Sequence, residues 1–191
     1  GLTPASPTTA VTADPTAAAS DRDGATPDKD TTLMPWSRRP TGIVNGSPTG
    51  RRTRIPPKED YKERRSLELE NACADVVAGK GYRVHQNPTR LEVAHARRST
   101  GDTGDPKKEP DYLIEGHVFD CYAPTSSVGV RAVWTAVSAK VKRGQTQRVI
   151  LNLEDWRGDF AALQKQFADW PIEGLRELVA VRRGGTIIQI V

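Results

Sequence analysis

A single α/β sandwich, with a mixed central sheet flanked by helices, is the fold class the sequence predicts for residues 58–191. Apolar residues recur at helical spacing in the segments 60–79 and 127–142, and a further helix reads over 159–169. Between them lie short runs with strand composition. One of these, Val149-Ile150-Leu151-Asn152-Leu153, is nearly continuous and suits a central strand buried on both faces. Residues 1–57 are rich in Thr, Ala, Pro, Ser, Gly and Asp, with no apolar period. Such a stretch cannot bury enough surface to offset its conformational entropy, so it reads as a disordered linker. Trp36 and the clusters Arg38-Arg39 and Arg51-Arg52-Thr53-Arg54 stand out within it.

In chain order, the first helix carries Leu69, Ala72, Cys73, Val76 and Val77 at spacings of three and four, and Gly79 and Gly81 end it. Tyr82-Arg83-Val84-His85 is a short strand stopped by Asn87-Pro88. Residues 97–105 read as a polar loop. A hairpin over 110–122 follows, turning at Glu115-Gly116. The helix at 127–142 places Val130, Val133, Trp134, Val137 and Val141 on one face. After the buried strand and the helix at 159–169, Glu177–Val181 and Thr186–Ile190 form strands joined through Arg182-Arg183-Gly184-Gly185.

The 191 residues have room for one domain and a tail. A net charge of +4 is a mild basic excess that fits a polyanionic partner. Two cysteines, Cys73 and Cys121, are too few for a disulfide scaffold and read as buried free thiols. No apolar run reaches membrane-spanning length and no signal peptide opens the chain. The chain begins without an initiator methionine, as an expressed fragment or a piece of a longer protein would.

The hairpin carries the chemistry. With a two-residue turn at Glu115-Gly116, Ile114 faces His117, Leu113 faces Val118, and Asp111 falls opposite Asp120. Like charges in directly opposed positions destabilise a sheet. A divalent cation is the commonest reason to place two carboxylates so, and oxygen ligands suit Mg²⁺, with Mn²⁺ or Zn²⁺ as alternatives. Glu70 shares the inward edge of the first helix with Cys73 and Val77 and would make a third carboxylate. Lys140 lies three residues after Val137 and seven after Val133, on the apolar face of its helix, whereas Lys142 points elsewhere. An inward lysine beside carboxylates can stabilise charge developing on a phosphate or orient an attacking water. Gln145, Lys142 and Tyr122 are the candidate substrate contacts. Asp155, Asp159 and Glu154 read as solvated charge and helix capping. The dispersed His85, His95 and His117 resemble no zinc site. A metal-free ribonuclease using His95 and His117 as an acid–base pair is the competing chemistry.

These residues form a series. Glu-Asn-Ala in the first helix is followed by Gly-Tyr-x-Val-x-Gln-Asn-Pro and Pro-Asp-Tyr-Leu-Ile-Glu-Gly-His-Val-Phe-Asp-Cys-Tyr-Ala-Pro-Thr. Lys-Val-Lys-Arg-Gly-Gln, Val-Ile-Leu-Asn-Leu and Trp-Pro-Ile-Glu-Gly-Leu complete it. Together, over residues 60–182, they resemble the C-terminal nuclease domains of CdiA-type contact-dependent growth-inhibition toxins, a branch of the PD-(D/E)XK superfamily. The resemblance implies a metal-dependent toxin that cleaves tRNA. It would form the C-terminal part of a larger effector, delivered into the cytoplasm of competing bacteria as a monomeric domain and neutralised by a cognate immunity protein. It also implies that Glu70, Asp111 and Asp120 bind the metal and carry catalysis. The sequence departs from the superfamily pattern at Tyr122, which stands where the motif lysine is expected, and Lys140 is the natural replacement. A DNase on the same scaffold and a non-catalytic nucleic-acid-binding module are the other functions the sequence allows.

Overall fold

The computed structural model describes residues 33–191. Eight strands form one sheet in the order β1-β8-β7-β6-β5-β4-β3-β2. They are β1 (Met34–Pro35), β2 (Thr49–Gly50), β3 (Val84–Gln86), β4 (Tyr112–Ile114), β5 (His117–Tyr122), β6 (Arg148–Asn152), β7 (Glu177–Val181) and β8 (Ile187–Gln189). The helices are α1 (Tyr61–Gly79), α2 (Arg90–Thr100), α3 (Val130–Lys142) and α4 (Phe160–Asp169). Strands β5, β6 and β7 run parallel, as do β2 and β3; the other pairings are antiparallel. The sheet is mixed and helices cover both faces, as the sequence predicts.

Alternation along the central strands divides the core. Ile150, Val179 and Val181 pack with Cys73, Ala74 and Val77 of α1. Their neighbours Val149, Leu151, Leu178 and Ala180 face Val133 and Val137 of α3 and Leu163 and Phe167 of α4. Strands buried on both faces read as continuous apolar runs, which is why β6 was legible. Cys73 and Cys121 are free thiols in the α1 layer.

Two stretches differ from the sequence expectation. Residues 33–57, read as linker, belong to the body; residues 1–32 of that linker lie outside the described residues. Trp36 is buried, stacks on Tyr82 at 4.4 Å, and donates from Nε1 to Glu177 Oε2 (2.5 Å). Strand β1 pairs with β8 at one edge of the sheet, and β2 pairs with β3 at the other. Sparse apolar residues concealed this strap, because ion pairs and main-chain bonds hold it: Arg38 to Glu177 at 2.6 Å, and Gly42 N to Gly81 O at 2.7 Å. The second difference is α2, which occupies part of the predicted polar loop. A Thr89–Glu92 capping box starts it, and Gly101 at φ 78° ends it. It buries only Val93 and Ala96 against Val118, too narrow a stripe to register as a period.

Candidate active site

The site is built on the β4–β5 hairpin. Glu115 (φ 49°) and Gly116 (φ 75°) both take left-handed conformations, the primed two-residue turn that matches strand twist. Glu115 is held there by its carboxylate, which accepts from Thr41 N (2.9 Å) and Arg83 N (2.8 Å). The turn sets the pairs Ile114↔His117, Leu113↔Val118 and Tyr112↔Phe119. One step further along this register, Asp111 meets Asp120, as the sequence predicts. The two lock each other's backbone: Asp111 N donates to Asp120 Oδ1 (3.1 Å), and Cys121 N donates to Asp111 Oδ2 (2.8 Å).

Glu70 joins from α1 and lies within hydrogen-bonding reach of the Asp111 carboxyl. Two buried side chains of the sheet fix this turn of α1. Tyr112 Oη donates to Glu70 O (2.5 Å), and Asn152 Nδ2 donates to Leu69 O (2.9 Å). Sequence reasoning missed both, since each sits in a strand where it reads as filler. A polar Asn152 inside an otherwise apolar strand is the signal that was available.

Lys140 arrives from α3, and its Nζ lies 2.5 Å from Asp120 Oδ2. Asp120 is 2% exposed. Burial alone would lower Lys140, but the charge of Asp120 and its hydrogen bond outweigh it and hold the ammonium above its usual range. Asp111 is pushed well above the usual carboxylate range by burial first, then by the Asp120 charge and by Glu70. Three carboxylates and one ammonium leave excess negative charge at the site, and a proton on Asp111 or a cation relieves it.

Of the remaining candidates, Gln145 reaches the cluster, its Nε2 lying 3.1 Å from Glu109 O and 3.4 Å from Asp120 Oδ1. Tyr122 is half-buried; burial raises its hydroxyl, opposed by the Lys140 charge. Lys142 is exposed and without an ion-pair partner among the described residues. His117 Nδ1 contacts Arg38 Nη1 and Glu115 O, each at 3.0 Å, and no hydrogen bond joins it to His95 among the described residues. Asp159 caps α4, whereas Asp155 pairs with Arg65 at 2.8 Å rather than lying solvated.

No ready group of three His, Cys, Asp or Glu ligands occurs among the described residues. Lys140 already engages one Asp120 oxygen. The remaining donors are all carboxylate oxygens, a set that fits a hard ion such as Mg²⁺ or Mn²⁺ better than Zn²⁺.

In this mixed α/β body the two hairpin aspartates meet Glu70 of α1 and Lys140 of α3, the four side chains that the sequence singles out. Comparison with known proteins gives the family. The profile of the family described as contact-dependent growth inhibition CdiA C-terminal domain matches residues 107–187. A curated relative, the tRNA nuclease CdiA-2 of Burkholderia pseudomallei (strain 1026b), is 37% identical over 151 residues, 79% of this chain. The chain spans about 4% of that relative's length. A solved CdiA-CT/CdiI toxin and immunity complex from Burkholderia pseudomallei matches with a TM-score of 0.63 and 38% identity, over 75% of this chain and 98% of that one. The chain belongs to the CdiA C-terminal toxin domain family of contact-dependent growth inhibition.

Proposed function

We propose that this domain is a metal-dependent nuclease that hydrolyses tRNA in competing bacteria, as the tip of a larger delivered effector. The observation that carries the proposal is the cluster in which Asp111 meets both Glu70 and Asp120, with Lys140 Nζ held 2.5 Å from Asp120. Its relatives by name, a tRNA nuclease and a toxin–immunity complex, support the substrate and imply a cognate immunity protein.

Glu70, Asp111 and Asp120 would hold a divalent cation, Mg²⁺ by their donor chemistry. When bound, such an ion supplies Lewis-acid stabilisation of a phosphate oxygen and lowers the pKa of water. The chain's own residues do the rest. Asp120 fixes the Lys140 ammonium, which faces charge developing on the phosphate. Asp111, raised by burial and then by its neighbours, would give up its proton to the surroundings on holding such an ion. Tyr112 and Asn152 hold Glu70 in place through the backbone of α1.

The test is incubation of the purified chain with purified tRNA, total RNA and plasmid DNA, each with and without EDTA. Cleavage of tRNA that EDTA stops and Mg²⁺ restores is expected. Cleavage of plasmid alone would make it a DNase. Undiminished cleavage in EDTA would remove the metal from the proposal.

A further inference from the structure

Beside the acids lies a feature that bond cleavage does not use. A cleft of about 650 Å³ opens between residues 51–54, the turn 87–90 and Glu109-Pro110, the two residues immediately before Asp111. Four arginines line it against one glutamate, Glu109: Arg51, Arg52, Arg54 and Arg90. Arg51 and Arg54 are exposed, and neither guanidinium has a hydrogen-bond or ion-pair partner among the described residues. Arg52 pairs with Asp75 at 2.5 Å, and Arg90 pairs loosely with Glu109 at 3.6 Å.

Arg51 and Arg54 bring two like charges, unpaired among the described residues, to one cleft, and the backbone that carries them is held by side chains of the body. Asn71 does so from α1: its Oδ1 accepts from Thr53 N (3.0 Å) and Gln86 Nε2 (2.9 Å), and its Nδ2 donates to Thr53 O (3.0 Å). Asn87, in the left-handed region at φ 50°, donates to Arg51 O (2.6 Å) and Thr53 Oγ1 (3.1 Å). Gly50 (φ 81°) runs so close to β3 that a Cβ would meet Gln86 O at 2.3 Å. Asn71 is the residue after Glu70, and Asn87 N donates to Asp111 O (2.8 Å). The elements that place the acids therefore also place the arginines, at a fixed offset from them.

We infer that this cleft is a phosphate-binding subsite, which seats the RNA backbone flanking the bond to be cut. The inference rests on the nuclease reading above and adds to it the residues that hold the substrate strand. Guanidinium forks match phosphate oxygens, and a chain crossing Asp111 at Pro110 leads directly into the cleft. Arg51 and Arg54, free of protein partners, carry the contacts that depend on salt.

The test is the double variant Arg51→Ala/Arg54→Ala in the full 191-residue chain, with Arg51→Lys/Arg54→Lys as the charge-keeping control. The first readout is tRNA affinity against salt, by fluorescence anisotropy in an Asp111→Asn background. Losing two phosphate contacts should weaken binding on the order of tenfold and flatten the log–log salt slope by roughly 1.5. The lysine pair should restore most of both. The second readout is turnover in the otherwise wild-type chain: KM for tRNA should rise with kcat unchanged, while cleavage of a dinucleotide, too short to reach the cleft, should not change. Wild-type affinity and salt slope in the alanine variant would overturn the subsite. Failure of the wild-type chain to cut any RNA would overturn the ribonuclease reading instead, and the binding arm would still decide the cleft.

Discussion

Lys140 and Lys142 sit two residues apart on α3, yet one is drawn to a buried carboxylate and the other is exposed. Helical phase alone separated them in the sequence, because Val133, Val137 and Lys140 share a face. Lys140→Ala is expected to lower turnover by about two orders of magnitude or more, the scale for losing one preorganised charge-stabilising donor, with the fold kept. Lys142→Ala should alter only salt-dependent affinity. Equal and small effects in steady-state kinetics would refute the distinction. Asp111 gives a prediction in pH. Its carboxyl is raised in the folded state above the ordinary 3.8, so the folded protein holds this proton more tightly than the unfolded chain. The resulting stability is fully present below about 3.8 and is lost as pH rises toward the raised value. In chelator, the melting temperature should carry that downward component, and Asp111→Asn should remove it. Divalent ion should restore stability in the wild type by binding the native state and leave Asp111→Asn unmoved; a thermal-shift series across pH, with and without Mg²⁺, reads both. The acids and the lysine were legible because a two-residue turn fixes its own register and a helix fixes its own phase. Tyr112 and Asn152 were not, since what they hold is a backbone carbonyl distant in sequence.

At the scale of elements, each piece found from sequence had a wide apolar period or a turn signal. The pieces missed were held by polar bonds. Strap 33–57 joins the body through Trp36, the Arg38–Glu177 pair and main-chain bonds to residues 79 and 81. Glu177 also meets Arg148 at 2.6 Å, and Arg148 meets Asp102 at 2.7 Å. Buried ion networks are destabilising when broken on one side. Trp36→Ala, which empties a core position and leaves Glu177 short of a donor, should cost about 3–5 kcal/mol in urea unfolding. A loss below about 1 kcal/mol would show that the strap is dispensable, as its composition suggests. Both Asp102 and Glu177 are held below their usual ranges, against burial, by the arginines that face them. Their contribution is present above the ordinary carboxylate values and fails as pH falls through the lowered ones.

The whole molecule carries a net charge of +4, with Asp120 buried at the site and arginines exposed at one cleft beside it. The cell that makes a toxin domain needs an inhibitor, and charge complementarity favours an acidic one, chiefly by speeding encounter. A neighbouring gene should encode a protein whose co-expression rescues growth of bacteria carrying the wild-type domain. Growth unaffected by the domain, with tRNA intact, would refute the toxin and the inhibitor together.

The strap also dictates an order of events. Its first strand pairs with the last one, Met34 with Gln189, and Trp36 reaches Glu177. On a ribosome, residues 33–36 emerge early and then wait for nearly the entire domain to follow. Closing a loop of that length costs entropy that only a preformed sheet repays. The β1 edge of the sheet therefore closes only once β8 has been made, whereas the arginines on the strap are held by Asn71, Gln86 and Asn87, which come before the hairpin in the chain. A chain cut before β8 would thus keep what holds its arginines while Met34 and Pro35 lose their partner strand.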